Sequence, residues 1–235
     1  MIKYCLPIVV KEKVRVTQLL EYHAETYQYF EIWLDYINKF DLNFIEDLSN
    51  KWGDRLIFIL RRKEFEEPII SLKDRLNIIR FLSKSKSLLD LDIFEQSREL
   101  RFYRDEQLST KEGQLSSQLL LSYHNYQETP SLEKLRDIIV EMESYSPMIY
   151  KVATHCNHPK DALRLMTLQL SQEGRRVIVL GMGQDGAITR IFGALWGNYL
   201  SFVPLKKSEE TASGQYTKEE LEGIFKLINH SVDRK

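Results

Sequence analysis

The 235-residue chain is 43% hydrophobic and 29% charged, and its 33 Lys and Arg balance 34 Asp and Glu to a net charge of −1. That balance excludes intrinsic disorder, a basic nucleic-acid binder and the fibrous or low-complexity classes, while the length suffices for one large domain or two small ones. Cys5 and Cys156 are too few for a disulfide framework and fit a reducing, cytoplasmic setting; no apolar run nears the ~18 residues of a membrane span, and the opening MIKYCLPIVVKEKV is charged too soon for a signal peptide.

In chain order, short apolar runs occur at Tyr4–Val10, Tyr29–Leu34, Leu56–Leu60, Leu88–Ile93, Leu119–Ser122, Met148–Ala153, Val177–Leu180 and Tyr199–Val203. Most are continuously apolar, as strands of a parallel sheet covered on both faces require. Helical patterns lie between and after them. One opens at Thr129-Pro130, with Thr as cap and Pro at the first helical position, and carries Leu132, Leu135, Ile138, Ile139 and Met142 on one face. Another starts at Pro159, is expected to bury Ala162, Leu163, Met166 and Leu170, and stops at Gly174 as C-cap. The last begins with the capping box Thr217-x-x-Glu220 and carries Leu221, Ile224, Phe225 and Ile228. The polar stretch Asp105–Ser117 reads as a loop. Eight β/α units in one domain, residues 1–235, favour a (β/α)8 TIM barrel over a doubly wound open sheet.

A barrel collects its chemistry at the C-terminal ends of its strands. Polar residues near such ends are Glu31 and Asp35, Arg61 and Arg62, Asp90 and Asp92, His124 and Lys151, with Met182 following the seventh run. Lys151 interrupts the apolar run MIYKVAT. Burial lowers a lysine pKa, and the neutral amine attacks carbonyls to form a Schiff base; a solvated strand-end lysine or a structural salt bridge is the plainer alternative. His124, in LLLSYHNY, ends the neighbouring run, where an imidazole can shuttle protons beside an imine or simply be packed and hydrogen-bonded. The THCNH segment holding His155, Cys156 and His158 lacks zinc spacing and suits a loop or helix entry. Gly181-Met-Gly183-Gln-Asp-Gly186 matches GxGxxG formally, but the next run ends Phe202-Val203-Pro204, without the acid a ribose needs. A glycine-rich barrel loop explains it better. Arg190, just inside the following helix, suits a carboxylate clamp or an ordinary surface position. Thr211-Ala-Ser213-Gly-Gln215 has the small, polar composition of a substrate-covering lid or an exposed loop.

At these residues the sequence resembles the type I 3-dehydroquinate dehydratases, Schiff-base enzymes of the shikimate pathway and of aromatic amino acid biosynthesis. Ser122-Tyr-His124-Asn-Tyr126 is similar to the segment carrying the family's catalytic His, and Tyr150-Lys151-Val-Ala to the one carrying the imine-forming Lys. Met182-Gly-Gln-Asp-Gly186-Ala-Ile-Thr-Arg190 resembles the stretch ending in the carboxylate-binding Arg, and Lys206-Lys207 with Ala212-Ser213-Gly214-Gln215 the lid that supplies a Gln. Phe30-Glu31, Leu89-Asp90-Leu-Asp92 and Ile59-Leu-Arg61 resemble its acidic and Arg positions. The sequence departs from the family pattern at Trp33, where an Arg is usual, at Pro7, where a small hydroxyl residue is common, at the lid residue Thr211, and in Arg62–Glu67, where Glu64 is a loose match.

The resemblance implies a lyase that dehydrates the small molecule 3-dehydroquinate to 3-dehydroshikimate, with no metal or dissociable cofactor and with neither nucleic acid nor membrane as partner. It implies that Lys151 forms the imine and His124 moves the protons. Arg190 would hold the carboxylate, Glu31, Arg61, Thr211 and Gln215 would position hydroxyls or His124, and Tyr126, Met182 and Phe202 would form apolar walls. A homodimer is one arrangement the sequence leaves open. Two other readings use the same residues: a different Schiff-base barrel enzyme such as a class I aldolase, and a catalytically weakened homologue acting as a binding module, suggested by Trp33.

Overall fold

The computed structural model describes residues 2–38, 41–60, 70–109 and 118–232. Among them, eight strands alternate with eight helices: β1 (Tyr4–Ile8), α1 (Lys13–His23), β2 (Tyr29–Trp33), α2 (Leu42–Trp52), β3 (Leu56–Ile59), α3 (Leu72–Leu82), β4 (Leu88–Asp92), α4 (Ser97–Ser109), β5 (Leu119–Asn125), α5 (Leu132–Glu143), β6 (Ile149–His155), α6 (Pro159–Leu170), β7 (Val177–Met182), α7 (Ile188–Trp196), β8 (Ser201–Phe202) and α8 (Lys218–Val232). The strands form one sheet in the order β7-β6-β5-β4-β3-β2-β1-β8, and each neighbouring pair is parallel. The seam between the two ends is bridged by backbone: Tyr199 N–H donates to the carbonyl of Val177 at 2.7 Å. The Asn198 amide completes it, accepting from Val179 N–H at 2.8 Å and donating to Val179 O at 3.1 Å. The result is the expected (β/α)8 barrel.

Period-two alternation sorts each strand between two apolar layers. Leu6, Ile8, Phe30, Ile32, Phe58, Leu89, Leu91, Leu121, Val152 and Val179 belong to the layer between sheet and helices. The intervening residues Cys5, Ile57, Leu88, Leu120, Ile149, Ile178 and Leu200 pack together and plug the N-terminal half of the barrel. Burying a large side chain such as Phe30 or Phe58, both fully buried, stabilises the fold by about 1.5–3 kcal/mol. Two residues further along the strands the same interior face turns polar, with Glu31, Asp90, Ser122 and Lys151 all buried.

Four helix details differ from the expectations. Ser131, not Thr129, caps α5, accepting from Lys134 N–H at 3.2 Å; Thr129 is buried and its hydroxyl pairs with Thr154 Oγ1 at 2.8 Å. α6 ends at Leu170 with Ser171 as C-cap, and Gly174 (φ +78°) turns the chain beyond it. Its buried stripe is Ala162, Leu165, Met166 and Leu168, while Leu163 and Leu170 are exposed, because neighbours one residue apart on a helix face different directions. Finally, α4 runs through Asp105 to Ser109, so the first part of the expected loop is helical; residues 110–117 lie outside the described residues. The capping box of α8 is present, with Thr217 N–H donating to Glu220 at 2.8 Å and Glu220 N–H to Thr217 Oγ1 at 3.2 Å.

Candidate active site

The C-terminal mouth of the barrel holds a cavity of about 100 Å³. Of the residues singled out from sequence, Glu31, Tyr126, His124, Lys151, Met182, Arg190, Phe202, Thr211 and Gln215 all line it. Arg61, together with Arg62 and Glu64, lies outside the described residues. Strand register explains much of this convergence. Ser122 on β5 pairs with Lys151 on β6, and His124 with Ala153, so His124 stands one interior layer above the lysine on the neighbouring strand.

Lys151 is only 6% exposed, which rules out the solvated strand-end alternative. Its Nζ donates to Asp90 Oδ2 at 2.8 Å, lies 3.5 Å from Glu31 Oε1, and sits 4.8 Å from the centre of the Phe202 ring. The expectation of a neutral resting amine is corrected by these partners. Burial alone pulls the lysine pKa down, but the Asp90 and Glu31 carboxylates and the Asp90 hydrogen bond outweigh it, and the net shift is upward. The resting group is an ammonium ion. Ser122 Oγ–H holds the other Asp90 oxygen at 2.6 Å, so this carboxylate is fixed between a hydroxyl and the ammonium.

His124 is held by Asp92 at two points. Its Nδ1 lies 2.9 Å from Asp92 Oδ2, and its backbone N–H donates to the same oxygen at 3.1 Å. The second Asp92 oxygen accepts from the N–H groups of Phe94 and Glu95 at 3.1 and 3.0 Å. A carboxylate acceptor at Nδ1 selects the tautomer with its proton there and leaves Nε2 as the basic nitrogen. Burial lowers the His124 pKa more than Asp92 raises it, and the Lys151 charge adds to the lowering, so the ring is neutral near neutral pH. Tyr126 stacks on the imidazole, with centroids 5.9 Å apart and planes within 8°. At 42% exposed it forms the rim of the mouth, not a buried wall.

Arg190 is buried on α7, and its Nε has no hydrogen-bond partner among the described residues. Burial pulls its pKa down to about 10, with Glu210 and Tyr216 offsetting part of the effect, so it remains charged at neutral pH. An anion entering the cavity would satisfy such a buried donor. The Gln215 side chain, which also lines the cavity, is folded onto Thr211, accepting from the Thr211 N–H at 2.8 Å and donating to its hydroxyl at 3.1 Å.

Asp90 and Asp92, singled out from sequence only as acidic strand-end positions, also line the cavity, and so do Trp33, Gln96 and Ser122, to which the sequence assigned no site role. Their signal was present in part: Asp90, Asp92 and Ser122 share the interior parity of Lys151 and His124. Gln96 carries no such mark. It stands at the entry to α4 and joins two strands, accepting from Asp92 N–H at 3.0 Å and donating to Leu60 O at 2.7 Å. The THCNH segment serves helix entry, as expected: His158 Nδ1 accepts from Lys160 N–H at 3.0 Å, and Asp161 accepts from the N–H groups of Asn157 and His158. No cluster of potential metal ligands occurs among the described residues.

Residues 4–232 match the family model described as type I 3-dehydroquinase. The 3-dehydroquinate dehydratase of Methanococcus maripaludis is 29% identical over 96% of this chain and 99% of its own length. That of Thermodesulfovibrio yellowstonii is 30% identical over 93% of this chain and 88% of its own. Among solved structures, 3-dehydroquinate dehydratase from Geobacillus kaustophilus superposes with a TM-score of 0.78 at 22% identity, covering 98% of this chain and 92% of that one.

Proposed function

The chain belongs to the type I 3-dehydroquinase family, and from that premise we propose that Lys151 and His124 perform its dehydration of 3-dehydroquinate to 3-dehydroshikimate. The observation that carries the assignment is the placement of buried Lys151 and partly buried His124 on adjacent strands, lining one cavity with Arg190, whose Nε–H has no partner among the described residues. The Arg190 charge binds the substrate carboxylate. Lys151 first gives up a proton, for which Asp90 at 2.8 Å is a close acceptor, and the amine then adds to the C3 ketone. Loss of water from the carbinolamine gives an iminium, which draws electrons from C2 and acidifies its C–H bond. Nε2 of His124 takes that proton and returns it to the departing C1 hydroxyl, which leaves as water. Hydrolysis of the remaining imine frees the product and restores the amine.

Phe202 and Met182 keep water from the amine, while Glu31, Thr211 and Gln215 receive the hydroxyls that orient the ring. Arg61 is proposed for the same task on grounds of sequence. The two cysteines, both free and buried, fit the reducing, cytoplasmic setting that their number suggests.

Borohydride reduction of the enzyme in the presence of 3-dehydroquinate, followed by intact-mass measurement, tests the assignment. Wild type should gain a stable adduct and Lys151→Ala none. An adduct that persists in Lys151→Ala would move the nucleophile elsewhere. His124→Ala should still trap substrate, more slowly, while formation of 3-dehydroshikimate is almost abolished; unchanged turnover would remove His124 from its role.

A further inference from the structure

The active-site cavity has a neighbour. Above the C-terminal end of β1 lies a second cavity of about 440 Å³, whose lining includes Pro7, Ile8, Val10, Arg15, Tyr36 and Glu209. Trp33 and Thr211 line both cavities. Trp33 closes β2 and follows Glu31 on the same interior face, two residues further up the barrel. Its side chain is held in place: Nε1–H donates to Glu31 Oε2 at 2.7 Å, and the ring meets Tyr36 edge-on with centroids 5.7 Å apart. The indole is only 6% exposed, although cavities lie on two sides of it.

We propose that Trp33 sets the size limit of the substrate, its indole being the partition between the active-site cavity and the adjoining one. This rests on the dehydratase reading of the first cavity. A substituent added to the substrate on the side facing Glu31 must displace the indole, breaking its bond to Glu31. The space beyond has an apolar wall formed by Pro7, Ile8 and Val10, while Arg15, Tyr36, Ser208, Glu209 and Thr211 line its other sides. Pro7 stands in register with Glu31 on the adjacent strand, so hydrocarbon begins directly beside the carboxylate. The ligand class that fits an opened partition on this side is therefore a short O-alkyl ether of the substrate, its alkyl chain lying along the Pro7–Val10 wall.

The test compares wild type, Trp33→Ala and Trp33→Phe on 3-dehydroquinate and on its C4 and C5 O-propyl ethers. The quantity read is the ratio of kcat/KM for each ether to that for the parent, which divides out general loss of activity. Borohydride-trapped mass provides a second reading on the same compounds. Trp33→Ala should raise the ratio for one of the ethers at least about tenfold, as expected when a steric wall beside an alkyl group is removed. Trp33→Phe, which keeps an aromatic ring but lacks the indole N–H, should leave it near the wild-type value. If Trp33→Ala shows no cooperative thermal transition, Trp33→Leu takes its place under the same criterion. An unchanged ratio for both ethers, an equal gain in Trp33→Phe, or a wild type that accepts the ethers as readily as the parent overturns the proposal. A wild type that traps no 3-dehydroquinate overturns the dehydratase reading instead, so the two failures are distinct.

Discussion

The imidazole Nδ1 of His124 lies 2.9 Å from Asp92 Oδ2, and the backbone N–H of His124 reaches the same oxygen at 3.1 Å. One carboxylate thus fixes both the ring orientation and the strand position of the proposed proton carrier. Asp92 is itself anchored by the N–H groups of Phe94 and Glu95, so it transmits the rigidity of the turn after β4 to the imidazole.

Asp92→Asn is expected to keep the fold while offering a poorer and ambiguous partner to Nδ1. The wrong tautomer then competes, and kcat should fall by about 10²–10⁴, as for carboxylates that orient a histidine base elsewhere. Borohydride trapping should survive, because the nucleophile is untouched. Steady-state kcat and the trapping yield, measured side by side, separate this positioning role from collapse of the site. Parallel loss of both would contradict it.

The charge state of Lys151 makes a pH prediction. Below its pKa, the reactive amine fraction rises about tenfold for each pH unit. Asp90 and Glu31 together raise that pKa, so removing one negative partner lowers it and enlarges the amine fraction at a given pH. In Asp90→Asn the rise of trapping rate with pH should therefore shift to lower pH by about 1 unit or more, as loss of a close opposite charge dictates. The height of the profile is expected to fall, since the nearby proton acceptor is gone. A profile displaced to higher pH would show that Asp90 does not hold the ammonium.

The loop after β7 offers a structural prediction. A Cβ at Gly186 would stand 2.5 Å from the carbonyl carbon of Gly181 and 2.6 Å from Met182 O, all backbone atoms that cannot swing aside. Gly186→Ala should destabilise the protein by about 1–3 kcal/mol, the range for overpacking. Thermal unfolding reads this as a fall in Tm of roughly 2–4 °C per kcal/mol for a chain of this size. KM should rise as well, since Met182 lines the cavity. An unchanged Tm would mean that the loop relaxes freely. This close approach is also the physical content of the glycine pattern: the formal GxGxxG match serves a loop packed on itself, with Gly183 at φ +82°.

Much of the architecture is legible in the amino-acid order because it depends on local periods. Eight apolar runs separated by helical patterns specify the β/α alternation, and the parity within each run places Lys151, His124, Asp90 and Asp92 on the face opposite Val152, Tyr123 and Leu91. The α8 boundary is written in Thr217 and Glu220, three residues apart. Where local signals competed, the reading failed: Thr129-Pro130 looked like a helix entry, but burial of Thr129 against Thr154 took the Thr away and left the cap to Ser131.

What only the tertiary structure decided is the state of the chemical groups. Lys151 meets Asp90 across 61 positions of sequence, and the sign of its pKa shift depends on that meeting and on Glu31, not on burial, which taken alone points the other way. Asp92 becomes the partner of His124, and Trp33 the wall beside Glu31, for the same reason: closing the barrel brings the β2, β4, β5 and β6 interiors into one small volume. Period and composition determine which residues face inward. Which charge each one carries there is a property of its neighbours in space.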